Sequence, residues 1–348
     1  MTVQYQIPVW LDCDPGNDDT FGILLAAFHP RFKLLGISTV HGNAPLHKTT
    51  HNAVALLDVL GFKQDQIKVY PGAEEPLKGE PLFAAHIHGD SGIGGATLPE
   101  TPKIKPSNDI GYLEAMRDSV LQYPNQICIV CTGTLTNFAQ LIIKYPEVKS
   151  KIRFLSLMGG ALNMGNITSF AEFNLYCDPK ASEIVLNDPV IGPKSILAPL
   201  NITHTAVANS AVRLKIYNPQ DENSNSSIRE MFYKIIMFYS KAYETRYGII
   251  EGPPLHDPVA IFSLLPLIQK QQNPEENLDE DYKYHYLRRK LTIVQDGEHK
   301  GETLVKDNDS SIEEEDGSYI GLNANIDLFW EYILDSLKLA DEQVFGSK

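Results

Sequence analysis

The chain has 348 residues, of which 43% are hydrophobic, 21% charged and 9% aromatic. That length and apolar share suit one large globular domain or two smaller ones, and exclude both a disordered chain and a disulfide scaffold. With 30 Lys and Arg against 44 Asp and Glu, the net charge is −14. Nucleic acid and anionic membrane surfaces are therefore poor partners, and a small neutral or cationic ligand suits the chain better.

Short apolar runs alternate with longer amphipathic ones. Residues 7–11 read as a strand and 20–28 as a helix, 32–40 as a strand and 46–60 as a helix, and 67–70 as a strand again. Strand-like 127–131 precedes helical 135–145, and strand-like 154–158 precedes a helix at 179–186. This alternation predicts the α/β class: a single domain over residues 1–348 with a Rossmann-like, mostly parallel (mixed) central sheet flanked by helices. Ligands of such sheets collect beyond the carboxyl ends of the strands, so a polar residue directly after an apolar strand is a site candidate. Polar or acidic stretches near 218–227, 271–284 and 306–318 read as solvated loop insertions, the last two flanking one more strand pair.

Four cysteines are too few for a secreted disulfide framework. Cys128 and Cys131 form a C-x-x-C, but inside an apolar run and without a second pair, so they read as buried strand residues and not as a zinc site. The first residues, MTVQYQIPVW, carry neither a basic leader nor an apolar signal core, and nothing approaches 18 uninterrupted apolar residues. The expectation is a reduced, cytoplasmic protein with nuclear entry left open. On that expectation the N-x-S/T matches at Asn166, Asn201 and Asn225 are chance.

The strongest signal is Asp12-Cys13-Asp14-Pro15-Gly16-Asn17-Asp18-Asp19, four carboxylates in eight residues directly after the first strand, with no Lys or Arg before Arg31. Like charges so close raise one another's pKa unless something positive compensates, and a hard divalent cation, Ca²⁺ or Mg²⁺, does so with oxygen ligands. Asp18 or Asp19 capping the following helix is the ordinary alternative. An EF-hand loop fails, because Gly16 stands at its fifth position and Ile23 at its twelfth. A D-x-D phosphohydrolase of the haloacid dehalogenase type matches only in part, since Gly16 holds its Thr/Val place.

The eight residues resemble the D-x-D-P-G-x-D-D signature of the inosine-uridine-preferring nucleoside hydrolases. Further blocks follow in family order: Thr39-Val40-His41-Gly42-Asn43, His88-Gly89-Asp90-Ser91-Gly92, residues 132–137, Met158-Gly159-Gly160, Gly165-Asn166, residues 171–174 with Asp178-Pro179, and His256-Asp257-Pro258. In length and pattern the chain most resembles the fungal uridine-cleaving members. One departure is Thr134, where the family usually has Pro or Gly.

The resemblance implies hydrolysis of the N-glycosidic bond of ribonucleosides, uridine first, with cytidine, inosine and nicotinamide riboside open. It implies Ca²⁺ held by Asp14, Asp19, the Thr132 carbonyl and Asp257, with Asp14 as general base and Asp12 behind it, positioning the loop and Asn43. Asp18, Asn43, Asn166, Glu172 and Asn174 match the family's ribose contacts, and Met158 would pack beside the ring. Residues 171–174 alternate like a strand, which puts Glu172 and Asn174 on one face. His256 is the expected proton donor to the base, because an ordinary imidazole pKa suits acid catalysis near neutrality. His88 resembles a second base-site histidine, and His86 has no assigned role. Tyr243 and Tyr247, four apart, share a helical face that either lines the base pocket or packs in the core.

Two Asp-Pro steps look alike locally. Asp178 reads as a helix cap; Asp257 reads equally as a cap on spacing, and the resemblance makes it a metal ligand. The implied partners are a small-molecule nucleoside and further copies of the chain, in a homodimer or homotetramer, with no nucleic acid and no membrane. A Mg²⁺ phosphohydrolase and a non-catalytic Ca²⁺-binding protein are the alternatives.

Overall fold

In the computed structural model, which describes residues 6–221, 225–273, 281–306 and 316–346, strand β1 (Ile7–Cys13) is buried along its whole length. A strand without polar alternation needs cover on both faces, as in a parallel sheet. It is followed in the chain by β2 (Phe32–Thr39), β3 (Val69–Pro71), β4 (Cys128–Cys131), β5 (Phe154–Met158), β6 (Ser195–Ala198) and β7 (His285–Arg289). Then come β8 (Leu291–Ile293) and β9 (Thr303–Val305), which pair only with each other, and β10 (Ser318–Asn323). The eight-stranded sheet has the order β3-β2-β1-β4-β5-β6-β10-β7, parallel except for β7 against β10. The expected α/β class with a mostly parallel sheet is what the chain adopts.

The chain winds outward from β1 through β2 and β3, then returns to place β4 on β1's other side, with Asp12 paired to Cys131. That reversal opens a crevice beyond the carboxyl ends of β1 and β4, where α/β sheets bind ligands.

The helices are α1 (Asp19–Phe28), α2 (Leu46–Val59), α3 (Ala85–His88), α4 (Tyr112–Gln122), α5 (Thr136–Lys144), α6 (Phe173–Cys177), α7 (Pro179–Leu186), α8 (Leu200–Thr203), α9 (Ser210–Ile216), α10 (Ser227–Tyr247), α11 (Asp257–Phe262), α12 (Leu264–Gln272) and α13 (Ile326–Phe345). Successive β1 residues feed opposite cores, as the two-residue period of a strand dictates. Val9 and Leu11 pack with Phe21 of α1, Phe232 of α10, Ile261 of α11 and Phe329 of α13. Trp10 packs with Met116 of α4, Phe138 of α5 and Val185 of α7. The C-x-x-C obeys the same rule: Cys128 belongs to the first core and Cys131 to the second, so the two thiols face away from each other. Burial raises both, Cys128 to about 12.

Three expectations need correction. The first strand runs on to Cys13 and so carries Asp12 inside the sheet. Residues 171–174 are not a strand. Glu172 is the N-cap of α6, its carboxylate accepting the N–H groups of Asn174 and Leu175 at 2.7 and 3.1 Å, a helix start that residue alternation cannot reveal. Where one strand pair is expected between the acidic stretches, β7 joins the sheet edge and β8–β9 form a separate hairpin. Parts of the three insertions, residues 222–224, 274–280 and 307–315, lie outside the described residues. Among the described residues no helix is long and apolar enough to cross a membrane.

Candidate active site

The β1–α1 turn drops its carboxylates into the crevice. Asp14, Asp18, Asp19 and Asp257 are all buried. Asp14 Oδ2 accepts the Asn43 N–H at 2.7 Å, whereas Oδ1 is buried with no hydrogen-bond partner among the described residues. Gly133 makes room for it: a Cβ there would lie 2.6 Å from that free oxygen. Asp19 accepts the Gly16 N–H (2.8 Å), the Asn43 amide (3.0 Å) and the Thr132 hydroxyl (2.8 Å). Asp18 accepts the His256 N–H at 3.3 Å.

Burial pushes this group's pKa values up, Asp18 to about 7, Asp14 and Asp257 well above the usual range and Asp19 upward, and neighbouring carboxylates add to the rise at Asp14, Asp18 and Asp257. Asp18, Asp19 and Asp257 offer oxygens lying within 4.8 Å of one another. With Asp14's unpaired oxygen beside them, the donor set is all-oxygen and anionic, which fits a hard dication. Asp14 itself stands outside the trio, and Asp18, expected as a sugar contact, stands within it.

Asp12 is displaced from its expected role. Its side chain accepts from Ser38 Oγ and from Asn137 Nδ2 (2.7 Å), and burial raises it to about 7; Asn43 is held by Asp14 and Asp19 instead. The two Asp-Pro steps separate. Asp178 caps α7, accepting the Ala181 N–H at 3.0 Å, while Asp257 is the first residue of α11 and makes no capping bond.

Above this floor opens a cavity. Asp18, Asn43, His88, Thr132, Met158, Asn166, Glu172, Asn174, Tyr243, Tyr247, His256 and Asp257 line it, with Asp14 and Asp19 just outside the lining. Among the described residues no Lys or Arg lines it. On one side, Glu172 accepts three backbone N–H groups, from Gly160, Asn174 and Leu175, and burial still raises its carboxyl to about 7. Asn174 Nδ2 donates to the Thr132 carbonyl (2.8 Å), the Met158 carbonyl and Met158 Sδ.

On the other side stand two buried imidazoles. His256 Nε2 is hydrogen-bonded to the Tyr243 hydroxyl at 2.6 Å, and Nδ1 to the Thr203 hydroxyl at 2.7 Å. Burial, helped by His204 and His88, holds His256 well below an ordinary imidazole pKa, which corrects the expectation of a ring titrating near neutrality. His88 is pushed down to about 3 by burial. Its Nδ1 accepts the Asn17 N–H at 3.1 Å, which leaves the proton on Nε2 as a donor.

Two residues escape the sequence reading. Tyr239 lines the cavity one turn before Tyr243 and its hydroxyl donates to that of Tyr243 at 3.4 Å; its signal is the same spacing of four extended backward. Thr203 carries no local signal. His86, which the sequence leaves without a role, lines the cavity too. Thr134, the departure from the family pattern, is buried, its hydroxyl bonded to the His41 carbonyl at 3.2 Å.

The profile of the family described as inosine-uridine preferring nucleoside hydrolase matches residues 9–331. A uridine nucleosidase of Saccharomyces cerevisiae is 40% identical over 350 residues, 98% of each chain. A pyrimidine-specific ribonucleoside hydrolase, RihA, of Salmonella arizonae is 36% identical over 262 residues, 74% of this chain and 79% of that one. Among solved structures, a purine-preferring ribonucleoside hydrolase from Gardnerella vaginalis superimposes with a TM-score of 0.80 at 26% identity, covering 96% of this chain and 99% of its own. Sequence and fold thus agree across nearly the whole length, and the chain belongs to the inosine-uridine preferring nucleoside hydrolases, a family of enzymes.

Proposed function

We propose that this enzyme cleaves ribonucleosides, uridine foremost, to ribose and free base, with cytidine, inosine and nicotinamide riboside the further candidates. One observation carries the reading: across a single cavity an all-carboxylate floor faces a wall bearing His256, Tyr243 and His88. The preference for uridine rests on the Saccharomyces and Salmonella relatives, described as uridine- and pyrimidine-cleaving.

We assign Ca²⁺ to the floor, held by Asp14, Asp19, the Thr132 carbonyl and Asp257, with Asp18 alongside. When bound, such an ion supplies Lewis-acid polarisation and an anchor for vicinal ribose hydroxyls. Asp18, Asn43, Asn166, Glu172 and Asn174 orient the sugar, and Met158 packs against it. Asp14 takes the proton of the attacking water on its unpaired Oδ1 as the water oxygen bonds to C1′. The C1′–N bond breaks with its electron pair going to the base. There the neutral His256–Tyr243 pair presents a proton to the developing negative charge, and His88 Nε2–H donates to a base oxygen. Assembly as a homodimer or homotetramer and a cytoplasmic location belong to the same reading.

A reducing-sugar assay tests it. Uridine should be cleaved about a hundredfold faster than 2′-deoxyuridine, because a site built around a hydroxyl rejects the analogue lacking it. Equal rates on the two, or phosphate release from a phosphomonoester without any ribose release, would overturn the reading.

A further inference from the structure

The β8–β9 hairpin stands outside the central sheet and contributes no residue to the cavity, yet it grips the segment that forms the sugar side. Glu302 forms an antiparallel bridge with Ala171, and the His299 ring lies on Phe170 with centroids 3.9 Å apart. Lys300 Nζ sits over the Tyr176 ring at 4.4 Å. Gly301, at φ +79°, comes so near α6 that a Cβ would be 2.6 Å from Tyr176 Cα. The hairpin's other flank rests on α7: the Ile293 N–H donates to Glu183 Oε2, and Gln295 Nε2 to the Pro179 carbonyl, both at 3.0 Å. Within the gripped segment, the Ala171 carbonyl accepts the N–H groups of Asn166 and Ile167, and Asn166 Oδ1 accepts the Phe173 N–H at 2.9 Å. A shift of Ala171 therefore carries Asn166, Glu172 and Asn174 with it.

We propose that this hairpin is a positioning element for sugar binding: by tying Phe170 and Ala171 to the same hairpin that is anchored on α7, it sets the placement of Asn166, Glu172 and Asn174. The inference rests on the nucleoside-cleaving reading above for its kinetic consequence. His299 is not a lining residue; it lies on Phe170, and its Nδ1 also meets Glu302 Oε2 at 2.6 Å in a partly exposed pair that contributes little beside the ring contact.

The test uses the full chain with His299→Ala and His299→Phe, the latter keeping a ring on Phe170. His299→Ala should raise KM for uridine about fivefold with kcat within about twofold, the signature of lost ground-state positioning. Backbone amides of residues 166–177 should exchange faster in that variant, with those of β1 and β4 unchanged. His299→Phe should restore both. A His299→Ala enzyme with wild-type KM and wild-type exchange overturns the proposal, as does a His299→Phe enzyme no better than His299→Ala. Exchange needs no turnover: a wild type that released no ribose would sink the functional reading, while the exchange data still decide whether the hairpin holds this segment.

Discussion

The floor and the wall of the cavity are built on opposite plans. The floor comes mostly from one turn, Asp14 to Asp19 after β1, joined by Asp257. The wall gathers His88 from α3, Tyr239, Tyr243 and Tyr247 from α10, Thr203 from α8 and His256 just before α11. One cause acts on both: burial disfavours charge, pushing the floor's acids up and the wall's imidazoles down. The remedies differ. On the proposed reading a cation neutralises the floor, whereas burial keeps the wall neutral and its hydrogen bonds set which nitrogen carries the proton. The two sides should therefore respond to different perturbations.

The largest expected effect strikes the floor. Asp14→Asn keeps an acceptor for the Asn43 N–H but removes the base, so kcat on uridine should fall about ten-thousandfold with the fold intact by circular dichroism. Activity within tenfold of wild type would remove Asp14 from the role. Next comes the wall: His256→Ala should cost about 10²–10³ in kcat on uridine and far less on a riboside with a nitrophenolate leaving group, which needs no proton. Equal losses on the two substrates would show that His256 supports the structure and not the departing base.

The smallest effect separates the two sides by pH. Among the floor carboxylates, Asp18 has a folded pKa of about 7 against an ordinary 3.8, and Asp14 and Asp257 are raised in the same direction. In chelated protein their contribution to stability is fully present below about pH 4 and is lost as pH rises, for Asp18 through about 7. His29 and His41, lowered to about 4 by burial, run the other way and lose stability as pH falls from 6.5 toward 4, but they do so with or without a bound ion. The gain in Tm on adding Ca²⁺ to chelated protein should thus grow between pH 5 and pH 8, to on the order of 5 °C. A gain that does not change with pH would mean that these carboxylates are not what the ion relieves.

How far the sequence could be read follows the same division. Asp14, Asp18 and Asp19 were visible because they are neighbours in the chain, and Asp178 because a cap and its helix are local. Glu172 and Asn174 were found as residues but placed on a strand, since a single N-cap looks like polar alternation. Asp257 and Asp178 share a local sequence, and only three-dimensional placement shows one meeting the acidic cluster and the other a helix end. Thr203 and the grip of the β8–β9 hairpin on Ala171 depend on contacts between distant segments that leave no periodic trace.

By itself, then, the amino-acid order determined the α/β class, the acid-rich turn after the first strand and the family, because apolar periodicity and contiguous charge are properties of neighbouring residues. Tertiary structure alone decided which three carboxylates converge, that His256 is buried against Tyr243 and Thr203, and that a peripheral hairpin bridges to Ala171 beside the cavity. Those outcomes arise from burial and from long-range packing, and both exist only once the sheet has closed.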